Sequence, residues 1–198
     1  GFRGGHASLV AEGAIGLSHK TDLGGGVRLG FSGATGLTPE RMGASYGALS
    51  LSADLSGSVL TLETGRARAT AGMPGARVPG AFGGVTSETR FLRASADLSI
   101  GRRDTLHLTA SSGQTSVDGS GLVRSGSVRS ESFGVGVSRR NDRTGSVMSV
   151  GVSRPLGVSG GSMNLAVPVG VAAAAGGVAS DRVEVQNLSV DLDQGSAP

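Results

Sequence analysis

A chain of 198 residues is long enough to bury one sizeable core, yet this one is poorly supplied for filling it: 36 residues are Gly, five are Phe, one is Tyr and none is Trp. That argues against a sandwich of two sheets held by large interdigitating side chains. The formal charge of +3 comes from 18 basic residues scattered among 15 acidic ones, and with no basic stripe and no aromatic platforms for stacking bases, no nucleic-acid partner is expected.

The chain opens on Gly1, Phe2, Arg3, Gly4 and Gly5, which is neither an initiator Met nor a basic and apolar leader, so it reads as the interior of a longer protein. His6–Leu17 and Gly24–Phe31 read as a strand pair around a turn at Ser18–Leu23, with Lys20 and Asp22 at the tip. Gly33–Gly43, which holds Pro39, Glu40 and Arg41, reads as a loop. From Tyr46 onward the period of two is at its cleanest: Leu49, Leu51, Ala53 and Leu55 alternate with Ser50, Ser52, Asp54 and Ser56. A strand sends successive side chains to opposite faces, so this is a sheet with one greasy face and one small, polar face. Ser56 and Gly57 make a turn, and Leu60 and Leu62 follow opposite in phase to Val59, Thr61 and Glu63. Arg66 and Arg68 then alternate with Ala67, Ala69 and Ala71. An Arg facing lipid at the midplane costs about 2–4 kcal/mol, so in a membrane strand this pair must face inward or lie beyond the bilayer.

Residues 73–84, MPGARVPGAFGG, are the least strand-like and are expected to form a loop. Leu92, Ala94, Ala96, Leu98 and Ile100 resume the alternation against Phe91, Arg93, Ser95, Asp97 and Ser99, and a turn at Gly101–Asp104 leads to Leu106, Leu108 and Ala110 opposite His107, Thr109 and Ser111. Residues 113–127, rich in Gly and Ser, are expected to be a second, mobile loop. Three short alternating segments follow: Ser130–Arg140, Ser146–Leu156 and Ser162–Gly170, divided by turn-forming clusters at Asn141–Gly145 and Gly157–Gly161. Both clusters suit hairpin reversals. Leu165–Ala179 lacks charge over fifteen residues. A spanning helix needs about 20, and Pro168, Gly170, Gly176 and Gly177 interrupt the run, so a strand to about Val171 is the better reading. Val183 and Val185 are out of phase with Leu188, Val190 and Leu192, which predicts a bulge near Gln186 and Asn187.

The search for chemistry is largely negative. His6, His19 and His107 have no metal-ligand spacing, and His107, in phase with Thr109 and Ser111, reads as a plain lumen or surface residue. Lys20 is the only Lys and ends no phosphate-binding loop, while Leu29 breaks a dinucleotide fingerprint after Gly24. No Gly-x-Ser-x-Gly elbow with Asp and His partners is evident, so no catalytic, cofactor-binding or metal residue is expected, and no cofactor. The lack of Cys fits a bacterial cell-envelope protein.

GAFGG at Gly80–Gly84, TRFLRASADLSIG at Thr89–Gly101, SESFGVGVSRRN, and above all VSRPLGVSGGSMNLAVPVG with its Ser153, Arg154, Pro155, Leu156 turn resemble the C-terminal barrel region of autotransporters with subtilisin-like passengers. The resemblance covers Thr89–Leu192 best. It implies an outer-membrane translocator β-barrel that supports export or surface anchoring of an N-terminal passenger, in the outer membrane of a Gram-negative bacterium. Its implied partners are outer-membrane lipid, its own passenger and the outer-membrane assembly machinery. The family's terminal strands and final aromatic residue are missing after Asp193, so the barrel reads as incomplete at its C-terminus, and no peptidase residue maps onto this chain.

The expected fold is therefore all-β, a single domain over 1–198: an antiparallel up-and-down transmembrane barrel of about ten strands. Alternation assigns Ser50, Ser52, Asp54, Arg93, Ser95, Asp97, His107, Thr109, Ser132 and Ser138 to the lumen. It assigns Leu49, Leu51, Leu60, Leu62, Leu92, Leu98, Leu106, Leu108, Val135, Val137, Val150, Val152, Leu165 and Val167 to lipid. The alternative is a secreted or surface-exposed Gly- and Ser-rich adhesive segment, although a solenoid's fixed repeat is not found.

Overall fold

A computed structural model of the chain describes residues 15–37, 43–70, 84–172 and 182–192. They form one antiparallel sheet of nine strands in sequence order. The strands are β1 (Ile15–Gly24), β2 (Val27–Leu37), β3 (Gly43–Leu55), β4 (Ser58–Thr70), β5 (Val85–Ser99), β6 (Asp104–Gly119), β7 (Val123–Arg140), β8 (Val147–Ala172) and β9 (Arg182–Asp191). This is an up-and-down meander: each strand pairs with its predecessor, and β1 and β9 are open edges, so the sheet is not closed into a barrel. Among the described residues no helix is long and apolar enough to cross a membrane.

Four hairpin connections lie at one end of the sheet: Gly25–Gly26, Ser56–Gly57, Ile100–Arg103 and Asn141–Ser146. At Ser56 and Gly57 φ is 55° and 87°, the pair of positive values that a two-residue turn needs to follow the right-handed twist of its strands. The first turn is displaced from its expected place. Ser18–Leu23 is strand, and the chain reverses through Gly24, Gly25 and Gly26, all at positive φ. Glycine reaches that region without steric cost, whereas Thr21 and Leu23 do not. The strand expected to start at His6 begins its described part at Ile15, and β2 continues to Leu37 through the first part of the expected 33–43 loop. Residues 38–42 and 73–83 lie outside the described residues.

The expected loop over 113–127 is not one. Residues 113–119 complete β6, Val123 already belongs to β7, and only Ser120–Leu122 turn. Gly and Ser composition there reflects close strand packing: a Cβ on Gly119 would collide with the Val123 carbonyl oxygen. The Gly157–Gly161 reversal is also absent, because β8 runs unbroken for 26 residues, which reduces the expected ten strands to nine. Its register with β7 slips twice. Pro155 and Leu156 stand against Ser132 alone, and Ser159 is inserted between the Arg129–Gly160 and Ser130–Val158 pairs. These are β-bulges, which use the same Gly and Pro composition as a turn but bend a strand instead of reversing it. The enclosed Ser159 hydroxyl makes no hydrogen bond, as befits a residue extruded from the ladder. The bulge expected near Gln186–Asn187 sits on the neighbouring strand, where β8 carries an extra residue between Pro168 and Gly170.

Candidate functional site: the two faces of the sheet

Register turns the alternation into rows that cross the sheet. On one face Leu29, Leu51, Leu62, Ala94, Ala110 and Phe133 are successive ladder partners, and toward the short turns lies the row Val27, Ala53, Leu60, Ala96, Leu108, Val135 and Val152. Leu98, Leu106, Val137 and Val150 form a further row. Most of these side chains are exposed, Leu62 by 50% and Val152 by 78%. Small Ala94, Ala96 and Ala110 floor a groove of about 520 Å³ walled by Leu51, Leu62, Leu108 and Phe133. Along β5 this leucine face runs from Leu92 to Leu98, about 20 Å at a rise of about 3.3 Å per residue.

Behind the same rows the opposite face is polar. Ser52, Thr61, Ser95, Thr109, Gly134 and Ser153 form one row, and Ser50, Glu63, Arg93, Ser111 and Ser132 another. Cross-strand hydroxyl pairs bind it: Ser52 Oγ lies 3.0 Å from Thr61 Oγ1 and Ser111 Oγ 2.6 Å from Ser132 Oγ. All ten residues assigned by alternation to a lumen share this face by register. Of those assigned to lipid, Leu165 departs: it packs with Met163 against the buried cluster of Val85, Val117 and Val123 on the serine face. Val167 follows Leu165 in phase. The two bulges in β8 cancel, so its odd-numbered residues face the serine side both before and after them, and Leu165 and Val167 cannot share a face with Val150 and Val152.

At mid-height the polarity inverts. Beyond the row of Leu49, Thr64, Leu92 and Ser112, the leucine face turns into Arg66, Arg90, Gln114 and Arg129, followed by Arg68 and Glu88. At those heights the serine face becomes apolar and closed: Ala48, Ala67, Phe91, Val117 and Val128 are buried, as are Ser87, Thr89 and Thr115. Thr89 Oγ1 and Thr115 Oγ1 pair at 2.7 Å, which satisfies both buried hydroxyls. The half near the short turns is thus greasy on the leucine face and polar on the serine face, and the far half is the reverse. Arg66 and Arg68 lie on the face of Leu60 and Leu62, past the end of the apolar rows.

Near the short turns three strands bring Asp97, His107 and Ser138 together. Asp97 of β5 is the ladder partner of His107 of β6, and its Oδ1 lies 2.6 Å from His107 Nδ1. His107 Nε2 lies 2.7 Å from Ser138 Oγ on β7. The sequence spacing of these residues shows nothing of this; the placement of the turns does. Among the described residues no group of His, Asp and Glu is arranged to hold a metal ion.

At the tips, Arg139 grips Asp104 with Nε to Oδ1 at 2.7 Å and Nη2 to Oδ2 at 2.9 Å, and Arg103 meets Asp142 at 2.6 Å. The guanidinium hydrogen bonds from Arg139 hold the Asp104 carboxyl below the usual carboxylate range. A lowered folded-state value stabilises the fold above the unfolded-state value, and that contribution disappears as pH falls through the folded one. The melting-point difference between the wild type and Asp104→Asn should therefore be full near neutral pH and close on acidification.

No protein family, curated protein or solved structure matches this chain. What the fold and its faces define is a class: an all-β antiparallel meander with one apolar and one polar face over half its height.

Proposed function

We propose that this chain is wall of an outer-membrane β-barrel, the translocator of an autotransporter that supports export or surface anchoring of a passenger, a subtilisin-like peptidase by the resemblance noted above. The observation that carries this reading is the level band of Leu, Val, Ala and Phe across β2–β8, exposed on one face and backed by Ser, Thr and Gly on the other. A lipid-facing barrel wall requires an apolar exterior, tolerates a wet interior and needs no jigsaw core. Closing the edges satisfies the backbone groups of β1 and β9, which hydrocarbon cannot do. Arg66, Arg90 and Arg129 then meet headgroup phosphates at the upper rim, and the short turns face the periplasm, as is usual for such barrels.

Passenger, lipid and assembly machinery are the partners of this reading. Its test is fractionation of the parent protein with gel mobility before and after boiling. A barrel sediments with the outer membrane and changes mobility when heated. A soluble protein whose mobility is indifferent to heat would overturn the reading and leave the leucine face to be covered by protein.

A further inference from the structure

We infer that Ser138, His107 and Asp97 form an acyl-transfer site on the serine face, with Ser138 Oγ as the nucleophile. An ionised Asp97 carboxylate only accepts hydrogen bonds, so the 2.6 Å contact fixes the proton on His107 Nδ1. His107 Nε2 is then left as an acceptor, 2.7 Å from the Ser138 hydroxyl that donates to it. This is the order of parts that makes serine a nucleophile: a base within hydrogen-bond reach, itself oriented by a third group. The side chains of His107 and Asp97 are 41% and 59% exposed, so solutes reach them directly.

The surroundings suit a reacting ester. Ser138 is flanked across the ladder by Thr105 and Ser149, whose hydroxyls are the donors for an oxyanion formed beside it. His107, Gly136 and Gly151 are consecutive partners, and the two glycines leave a bare floor next to the imidazole. Ser138 Oγ attacks the ester carbonyl as its proton passes to His107 Nε2. The carbon–oxygen bond to the alcohol breaks, and the imidazolium returns the proton to the departing alkoxide. Water, activated by the same nitrogen, then cleaves the acyl-serine to the free acid. Thr105, Thr109, Ser149 and the glycines provide no apolar cleft for a long chain, so the substrate class is a short acyl ester of a polar alcohol, an O-acetyl group being the simplest.

This inference does not depend on the sheet lying in a membrane. The test uses the folded full chain with a fluorophosphonate probe and with p-nitrophenyl acetate. The expected result is one phosphonylated residue, Ser138, in the folded protein and none in the urea-denatured protein. His107→Gln should lower both the labelling rate and acetate release by about 100-fold or more, the usual weight of a general base. Asp97 acts through His107 as a positioning residue: Asp97→Asn should lose most of the labelling rate and Asp97→Glu should restore much of it. Absence of an adduct at Ser138, or equal labelling of the wild type and His107→Gln, would overturn the site. All three side chains are at least partly exposed, and circular dichroism checks that each variant keeps its sheet.

Discussion

Leu62→Arg should destabilise the folded protein by about 2–4 kcal/mol when it is refolded into lipid vesicles, while Arg66→Leu, two steps of the same alternation further along, should shift stability by less than about 0.5 kcal/mol. The two positions lie on the same face of β4, with Thr64 between them in phase. Leu62 has Leu51 and Ala94 as ladder partners, inside the apolar rows, whereas Arg66 stands opposite Arg90 past their edge. If that face meets water, both residues are ordinary exposed side chains and neither exchange is felt. If it meets hydrocarbon, only the first places an uncompensated charge in it. Denaturant titrations of both variants in vesicles decide the matter, and a harmless Leu62→Arg would exclude the membrane reading.

Phe91→Ala should cost about 3–5 kcal/mol, as loss of a buried aromatic usually does. Phe91 is 4% exposed and stacks on Tyr46 with ring centroids 5.7 Å apart and planes 9° from parallel. Its ring lies over Gly65, its ladder partner. A Cβ added to Gly65 would stand 2.7 Å from Phe91 Cζ and 2.9 Å from Ala48 Cα, and would collide with the Gly47 carbonyl oxygen. Gly65→Ala should therefore cost about 1–3 kcal/mol, as overpacking does. Phe91→Leu should relieve part of that strain, and the backbone contacts with Gly47 and Ala48 should keep the rest. A double-mutant cycle on urea midpoints measures the share, since contacting residues are not additive. Equal costs for Gly65→Ala with Phe or Leu at position 91 would show that the ring does not press on the glycine.

The sheet was legible wherever one face is leucine and the other serine. Leu49–Ser56 and Leu92–Leu98 alternate so strictly that strand and face follow from side-chain period alone. Gly157–Gly161 misled for a physical reason: glycine lets a chain reverse and also lets a bulged strand touch its neighbour, and composition does not separate the two. Only register against Ser127–Ser132 does. The opposite error befell residues 113–127, where Gly and Ser suggested a loop although Thr115, Val117 and Val128 bury against one another's strands. The Asp97, His107 and Ser138 cluster was half legible. Placing the turn at Gly101–Asp104 already sets Asp97 across from His107, but Ser138 comes into reach only when the next turn is tightened to Ser120–Leu122.

On the membrane reading proposed above, the mid-height exchange of polarity works as a waterline. Sliding the sheet by one row, about 7 Å along a strand, toward the short turns would submerge Arg66, Arg90 and Arg129 in oil. Sliding it the other way would lift Leu49 and Leu92 into water and draw the charged tips, Arg103 and Asp142 among them, into oil. A bilayer that met this wall as proposed could therefore do so at one draught only, and the long strand ends beyond the Arg rows would stand clear of it as freeboard, their serine face sealed by Val85, Val117 and Phe91.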